Sequence, residues 1–231
     1  GTEGQSRLRN SRVLVIGAGG LGCSALQYLT TSGIGTIGIV DFDNVSLSNL
    51  HRQLLYTQED IGAPKVTVAK IRLEQLNPDC TIHTYNALLT KKNAQGIIDN
   101  YDIIIDATDM IPARYLINDV CVARNKPFVY GAIYKYQGQV AVFNHNGGPT
   151  YRCLFPEPGK DKIQNCDQRG VLPVLPGIIG LIQATETIKI ITGLGTSLSG
   201  YLGLLDIATM QWERMRLKRK YPSNEIKETT H

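Results

Sequence analysis

The 231-residue chain lacks most of the features that mark membrane, secreted and nucleic-acid-binding proteins. Its five cysteines, Cys23, Cys80, Cys121, Cys153 and Cys166, are odd in number, scattered, and form no C-x-x-C pair. Reduced thiols fit that pattern better than a disulfide framework. No apolar run approaches the length needed to cross a bilayer, and the opening GTEGQSRLRNSR is polar and basic, without the apolar core of a signal peptide. The expectation is a soluble, cytoplasmic protein. There is also no broad basic face interleaved with stacking aromatics: the net charge is +4, and the one dense basic run is RMRLKRK, Arg214 to Lys220. It reads as a solvated tail, with an acidic protein as the alternative partner and no nucleic acid expected. Internal repeats, low-complexity tracts and the spacings H-E-x-x-H and Ser-His-Asp are missing too.

What is present is a core and a rhythm. Hydrophobic residues make up 42% of the chain, enough to bury the interior of one domain. Short β-rich runs near Val13 to Ile16, Thr36 to Val40, Thr81 to Tyr85, Ile103 to Asp106 and Phe128 to Tyr130 alternate with helical patterns, as in βαβ units on a parallel sheet. Leu21, Ala25, Leu29 and Ser32 recur at helical spacing, and a second helix is expected from Pro64 to Leu76, stopping before Asn77-Pro78. After Gly138 the rhythm changes: QVAVFN reads as a strand, followed by a long loop with glycine and proline that runs from Asn144 to Arg169. Loops of that length are usually functional. A helix from Pro176 to Thr192 and a hairpin of Tyr201 to Asp206 with Gln211 to Leu217 complete the pattern, and residues 221–231 look frayed.

The chemistry starts at VLVIGAGGLGC, where Gly17, Gly19 and Gly22 form G-x-G-x-x-G between a predicted strand and helix. In that context the glycines make a tight turn, permit close phosphate approach, and aim a helix N-terminus at the anion. Asp41, at the end of the second predicted strand, is placed to accept hydrogen bonds from ribose hydroxyls. The next segment argues against a dinucleotide, because DFDNVSLSNLHRQ supplies Asp43, Asn49, Arg52 and Gln53, and IGAPKV adds Lys65. Fixed cations near the outer phosphates suit nucleotidyl transfer, in which charge develops on departing pyrophosphate. His51, beside Arg52, is a further candidate for a nucleotide contact. Asp106 and Asp109 end the fourth predicted strand, where open α/β sheets place their ligand crevice. Asp109 is the candidate ligand for Mg²⁺, with helix capping as the alternative, while Asp106 reads as structural. Cys23 and Cys121 read as core residues, and Cys80 as a loop thiol.

The series SRVLVIGAGGLGC, DFDNVSLSNLHRQ, IGAPKV, DATD, ARYLIND, GQVAVF, YRCLFPEP and NC…GV, in order from about Gly4 to Arg219, resembles the ThiF/MoeB/HesA family, bacterial relatives of ubiquitin-activating enzymes. The resemblance implies a Rossmann-like α/β fold with a mixed, mainly parallel sheet flanked by helices, a C-terminal antiparallel extension and a long crossover loop. It implies a single domain over 1–231: a nucleotide-binding half at 1–135 and a carrier-binding half at 136–220 with the crossover loop at 144–169. The implied activity is ATP-dependent adenylation of the C-terminal glycine of a small ubiquitin-like sulfur carrier, of the kind used in thiamine or molybdopterin synthesis. By that likeness the cofactor-binding set is Gly17, Gly19, Gly20, Gly22, Asp41, Asp43, Asn49, Arg52, Gln53, Lys65 and Asp109, and the catalytic set is Arg52, Lys65, Asp109 and Cys166. Cys166, near Lys160, Lys162 and Arg169, matches a cysteine that in some relatives joins the activated carrier. A homodimer is implied, as is a carrier ending in Gly-Gly, with Trp212 among the candidates for docking its head. With no rhodanese-like segment after the domain, the sulfur donor is expected to be a separate protein.

Three departures from the family pattern matter. Thr150 stands where the first of two C-x-x-C pairs should begin and the tail RKYPSNEIKETTH has no cysteine, so no structural zinc is expected despite Cys153, His145 and His231. The chain begins just after an RYxRQ-like segment whose arginine serves the partner subunit's ATP; either the sequence is shortened there or the cation comes from Arg7, Arg9 or Arg12. Met110 replaces the asparagine common after TD, and altered activity is the expectation. The rival readings are a degenerate carrier-binding module, an NAD-dependent oxidoreductase, and an enzyme that adenylates a carboxylate on modified tRNA.

Overall fold

The computed structural model describes residues 1–156 and 170–220. Eight strands form one sheet in the order β3-β2-β1-β4-β5-β6-β7-β8. The strands are β1 Arg12–Ile16, β2 Thr36–Asp41, β3 Thr81–Asn86, β4 Ile103–Asp106, β5 Phe128–Tyr134, β6 Gln137–Phe143, β7 Tyr201–Asp206 and β8 Gln211–Arg216. The first five pair in parallel and the last three join antiparallel to β5 and to one another. This is the expected mixed sheet with an antiparallel C-terminal extension, and β7 with β8 forms the expected hairpin.

Both faces of the sheet are buried, so its central strands are apolar throughout rather than alternating. On one face Val13 and Val15 pack with α2 (Gly20–Thr31), α3 (Lys65–Leu76) and α7 (Val174–Thr192). On the other, Leu14 and Ile16 pack with α4 (Ala94–Ile98), α5 (Ile111–Ala123) and α6 (Tyr151–Leu154). The first helix, α1 (Thr2–Asn10), lies against the C-terminal end of α7, where Arg7 donates to the Thr192 carbonyl at 3.0 Å. The opening stretch is therefore helical, held by one buried residue, Leu8.

Helix α7 has the length and composition of a bilayer-crossing helix, although no such run stood out in the sequence. It is a core helix. Its buried positions include Gln183, Glu186 and Thr187, and Glu186 pairs with Lys189 at 2.6 Å while accepting the Leu198 N–H at 2.7 Å. Gln183 pins α7 to the sheet: its Nε2 donates to the carbonyls of Asp106 (2.7 Å) and Val129 (3.1 Å). Gly131 makes room for it, since a Cβ there would lie 2.5 Å from the amide carbon. Gln183→Leu leaves two buried carbonyls without their donor and is expected to cost about 2–4 kcal/mol, read as a lower urea midpoint with unchanged slope.

Chain order defines the crevice. From β1 the chain moves outward to β2 and β3, then returns to place β4 on the other side of β1. Connections therefore diverge above the C-terminal ends of β1 and β4, the switch point at which open sheets take ligands. Gly17 follows β1 and Ala107 follows β4 at this point.

Candidate active site

The glycine turn is built by contact with its neighbours. Gly17 has φ +98° and donates to the Val40 carbonyl at 2.8 Å; a Cβ on it would lie 2.6 Å from the Ala107 carbonyl oxygen. A Cβ on Gly22 would collide with the Gly17 carbonyl, and one on Gly20 would lie 2.8 Å from Pro176. Those three glycines let chain pass close to chain. Gly19 differs: it is the N-cap of α2 without a side-chain cap, and the nearest atom to a Cβ there is Gln53 Nε2 at 3.6 Å. The first-turn N–H groups of α2 thus face the crevice uncapped, as an anion site requires. Gln53 is 4% exposed, and its Oε1 is buried without a partner. An idle buried amide beside an uncapped helix end fits a polar ligand such as a nucleotide.

Asp41 ties this turn, through Asp43, to Lys65. One carboxylate oxygen accepts the Ala18 N–H at 2.7 Å and the other accepts the Asp43 N–H at 2.8 Å. Burial pushes its carboxyl up, opposed by the Lys65 charge and by those two N–H groups. Each oxygen keeps a free lone pair for a ribose hydroxyl. Tyr56, which the sequence did not mark, holds the turn from beneath by donating to the Ala18 carbonyl at 2.8 Å. Lys65, at the start of α3, is 3% exposed and pairs with the half-exposed Asp43 at 2.9 Å. Arg52 donates to Asn49 Oδ1 at 2.9 Å, and its Nη1 lies 3.3 Å from His51 Nε2. The structure thus brings Gly17, Gly19, Asp41, Asp43, Asn49, Arg52, Gln53 and Lys65 to one end of the sheet.

Asp109 lies on the loop after β4 and is exposed. It is not the cap of α5; the N-cap is Met110, in extended conformation and without a side-chain cap bond. Among the described residues no group of three or more His, Cys, Asp or Glu side chains could hold a metal. A single carboxylate remains compatible with Mg²⁺, which is commonly held by one or two carboxylates plus substrate phosphates. Asp106 is fully buried and structural as expected: Oδ1 accepts from the Thr108 N–H (3.0 Å) and hydroxyl (2.7 Å). Burial pushes its carboxyl up, opposed chiefly by the Arg114 charge.

A protein-family model described as ThiF family matches residues 1–226. The chain belongs to the ThiF family. It is 46% identical over 225 residues to a sulfur carrier protein adenylyltransferase of Thermus thermophilus, covering 95% of this chain and 83% of that protein. It is 47% identical over 224 residues to the adenylyltransferase and sulfurtransferase MOCS3 of Anopheles gambiae, covering 96% of this chain and 51% of the relative. The chain thus spans about half the length of that two-function relative. Among solved structures, Escherichia coli MccB with ATP superposes with a TM-score of 0.84 at 21% identity, over 95% of this chain and 67% of that one. At that identity the likeness concerns the fold.

Other residues marked by the ThiF-family resemblance fall into place unevenly. Cys166, with Lys160, Lys162 and Arg169, lies outside the described residues, as does half of the crossover loop. Cys23 and Cys121 are buried core thiols; burial pushes Cys23 up to about 12, which keeps it inert. Cys80 lies in the connection between α3 and β3, a loop thiol as expected, but it is 3% exposed, packed into the core, and burial pushes it up to about 11. Cys153 is buried, and its sulfur accepts the N–H groups of Thr150 and Lys220, each at 3.4 Å, tying the segment after β8 to α6. Arg12 opens β1, roughly 16 Å of strand from Gly17. It does not reach the turn of its own chain.

Proposed function

We propose that this chain adenylates the C-terminal glycine of a small ubiquitin-like sulfur carrier, using ATP with Mg²⁺. The observation that carries the reading is the convergence of an uncapped, Cβ-free helix N-terminus at Gly19 with two cations: Lys65, linked to the turn through Asp43 and Asp41, and Arg52, whose backbone carbonyl lies beside Gly20 and whose side chain is held by Asn49. A hydride-transfer site needs no such cations beyond the pyrophosphate turn. The names of the ThiF-family relatives support the same reaction.

In this reading the N–H groups after Gly19 hold phosphate, Asp41 orients the ribose, and Arg52, Lys65 and Asn49 hold the outer phosphates. Asp109 would hold the Mg²⁺, which neutralises charge on the phosphate oxygens. A carrier carboxylate oxygen attacks the α-phosphorus; the bond to the bridging oxygen breaks, and pyrophosphate leaves with the electron pair. Lys65 and Arg52 stabilise that departing charge, a role that matters most in a site closed to water. Adenylation is needed because a carboxylate is a poor electrophile until its oxygen becomes part of a leaving group.

The open edge strand β8 exposes Trp212 and Met215, which supports docking of the carrier head on the β7–β8 side. Its extended tail would then run beneath 144–169 to the nucleotide. The segment after β2 exposes Phe42, Leu47, Leu54 and Ile61, which supports a homodimer contact there. A cytoplasmic location and a separate sulfur donor belong to the same reading.

The test is pyrophosphate–ATP exchange with candidate carriers ending in Gly-Gly. Exchange that requires the terminal glycine, and survives Cys166→Ala, supports adenylation with Cys166 confined to a later step. Tight ATP binding without exchange for any carrier would replace this reading with a binding module.

A further inference from the structure

The motif ARYLIND on α5 takes no part in the site as described, yet its polar side chains all point at two loops. On one side lies the root of the crossover, residues 151–156. Asn118 accepts the Tyr151 N–H at 2.9 Å, Tyr115 donates to the Phe155 carbonyl at 3.1 Å, and Asp119 takes Arg152 through two bonds of 2.7 and 2.8 Å. On the other side lies the Thr108–Asp109 loop. Its Thr108 carbonyl accepts from Arg114 Nη2 at 2.9 Å, while Asp106 takes the N–H and hydroxyl of the same residue. Arg114 belongs to both sides, because its guanidinium also lies 5.3 Å from the Tyr130 ring centre and hydrogen-bonds the Tyr151 side chain.

This joint is incompletely satisfied. Arg114 Nε and Asp106 Oδ2 are buried without hydrogen-bond partners. Unpaired buried polar atoms are rare and costly, and those in a native fold call for an explanation. Here they belong to a cation and a carboxylate that both hold Thr108, Arg114 through its carbonyl and Asp106 through its N–H and hydroxyl, so a shift of that loop could pair them. That is the property expected of a two-position element rather than of simple core filling.

We propose that Arg114 is a positioning residue: it couples the crossover root, through Tyr151, to the loop that presents Asp109 to the nucleotide's metal ion. The proposal rests on the assignment of Asp109 to the metal side in the preceding reading. A carrier tail that displaces the crossover root would thereby move Asp109, so metal engagement follows tail engagement. Arg114 touches neither substrate nor metal in this scheme. It acts through Thr108.

The test measures equilibrium ATP binding at graded Mg²⁺ concentrations, on the full chain and on Arg114→Met, Arg114→Lys and Tyr151→Phe, with thermal midpoints as controls. In Arg114→Met the Mg²⁺ concentration that gives half of the metal-dependent tightening is expected to rise about tenfold, within the usual range of coupling between sites, while metal-free ATP affinity stays within about twofold. Arg114→Lys should restore part of the metal response, and Tyr151→Phe should shift it about threefold in the same direction. An unchanged Mg²⁺ midpoint in folded Arg114→Met, or metal-free affinity falling in parallel, overturns the proposal. If Arg114→Met does not fold, unchanged midpoints in both milder variants do so. Mg²⁺ without effect on ATP binding to the unaltered chain also overturns it. Mg²⁺-linked ATP binding with no exchange for any carrier instead sinks the adenylation reading and leaves the coupling measurable.

Discussion

Lys65→Met is expected to lower carrier-dependent pyrophosphate–ATP exchange by about 10²–10³-fold, the scale seen when one fixed donor to developing charge is removed. The fold should survive. Lys65 is 3% exposed, so methionine of similar length refills the space of its stem with apolar atoms. Asp43, left behind, has a side chain that is 50% exposed, so water replaces the lost ammonium and the penalty of a stranded buried charge does not arise. The backbone anchor of Lys65, its N–H to the Asp43 carbonyl at 3.0 Å, is untouched by the change. Lys65→Arg is expected to fail as well, since a planar guanidinium does not fit a site shaped around a compact ammonium. A thermal midpoint within a few degrees, measured beside the exchange assay, separates lost chemistry from lost structure. Retention of exchange within about threefold would remove Lys65 from the outer-phosphate site, because a donor to the leaving group contributes more than that.

The parts of this fold legible in the sequence are those whose signal is local. Strands β1, β2 and β4 read as short apolar runs because each is buried on both faces, and the glycine turn reads as such because strand, turn and helix are contiguous. Helix α5 was legible only as the motif ARYLIND. Its Asn118 is fully buried to hold Tyr151, and a polar residue at a core position breaks the apolar periodicity that would reveal the helix. Helix α1 escaped for the opposite reason: with Leu8 alone buried, it has no stripe to read. In the site, Asp41, Arg52 and Lys65 could be named because they follow the turn within two short segments. Gln183 and Tyr56 could not, since each acts on a partner brought near only by the sheet: Gln183 meets Asp106 from a helix 77 residues later in the chain. Long-range hydrogen bonds leave no spacing to detect.

The four glycines near β1 look alike in sequence and should part company under mutation. Gly22→Ala puts a methyl group against the Gly17 carbonyl, a backbone atom that cannot turn aside. It is expected to cost about 3 kcal/mol or more, and so lower the thermal midpoint by roughly 10 °C in a chain of this size. Gly19→Ala should do the reverse. Its φ of −83° and ψ of −154° are open to any L residue, and the new methyl meets only Gln53 Nε2, at an ordinary 3.6 Å. Stability should stay within about 1 kcal/mol, because a Gly-to-Ala change at a permitted conformation also reduces the freedom of the unfolded chain. ATP affinity, however, should fall about tenfold or more, since phosphate held by the first-turn N–H groups must approach the backbone where the methyl now stands. The paired measurement, thermal midpoint and ATP titration on each variant, therefore separates the glycine that lets helix meet turn from the glycine that lets nucleotide meet helix. Normal ATP binding by Gly19→Ala would place the phosphates elsewhere and reduce the whole turn to a device for packing α2 against β1.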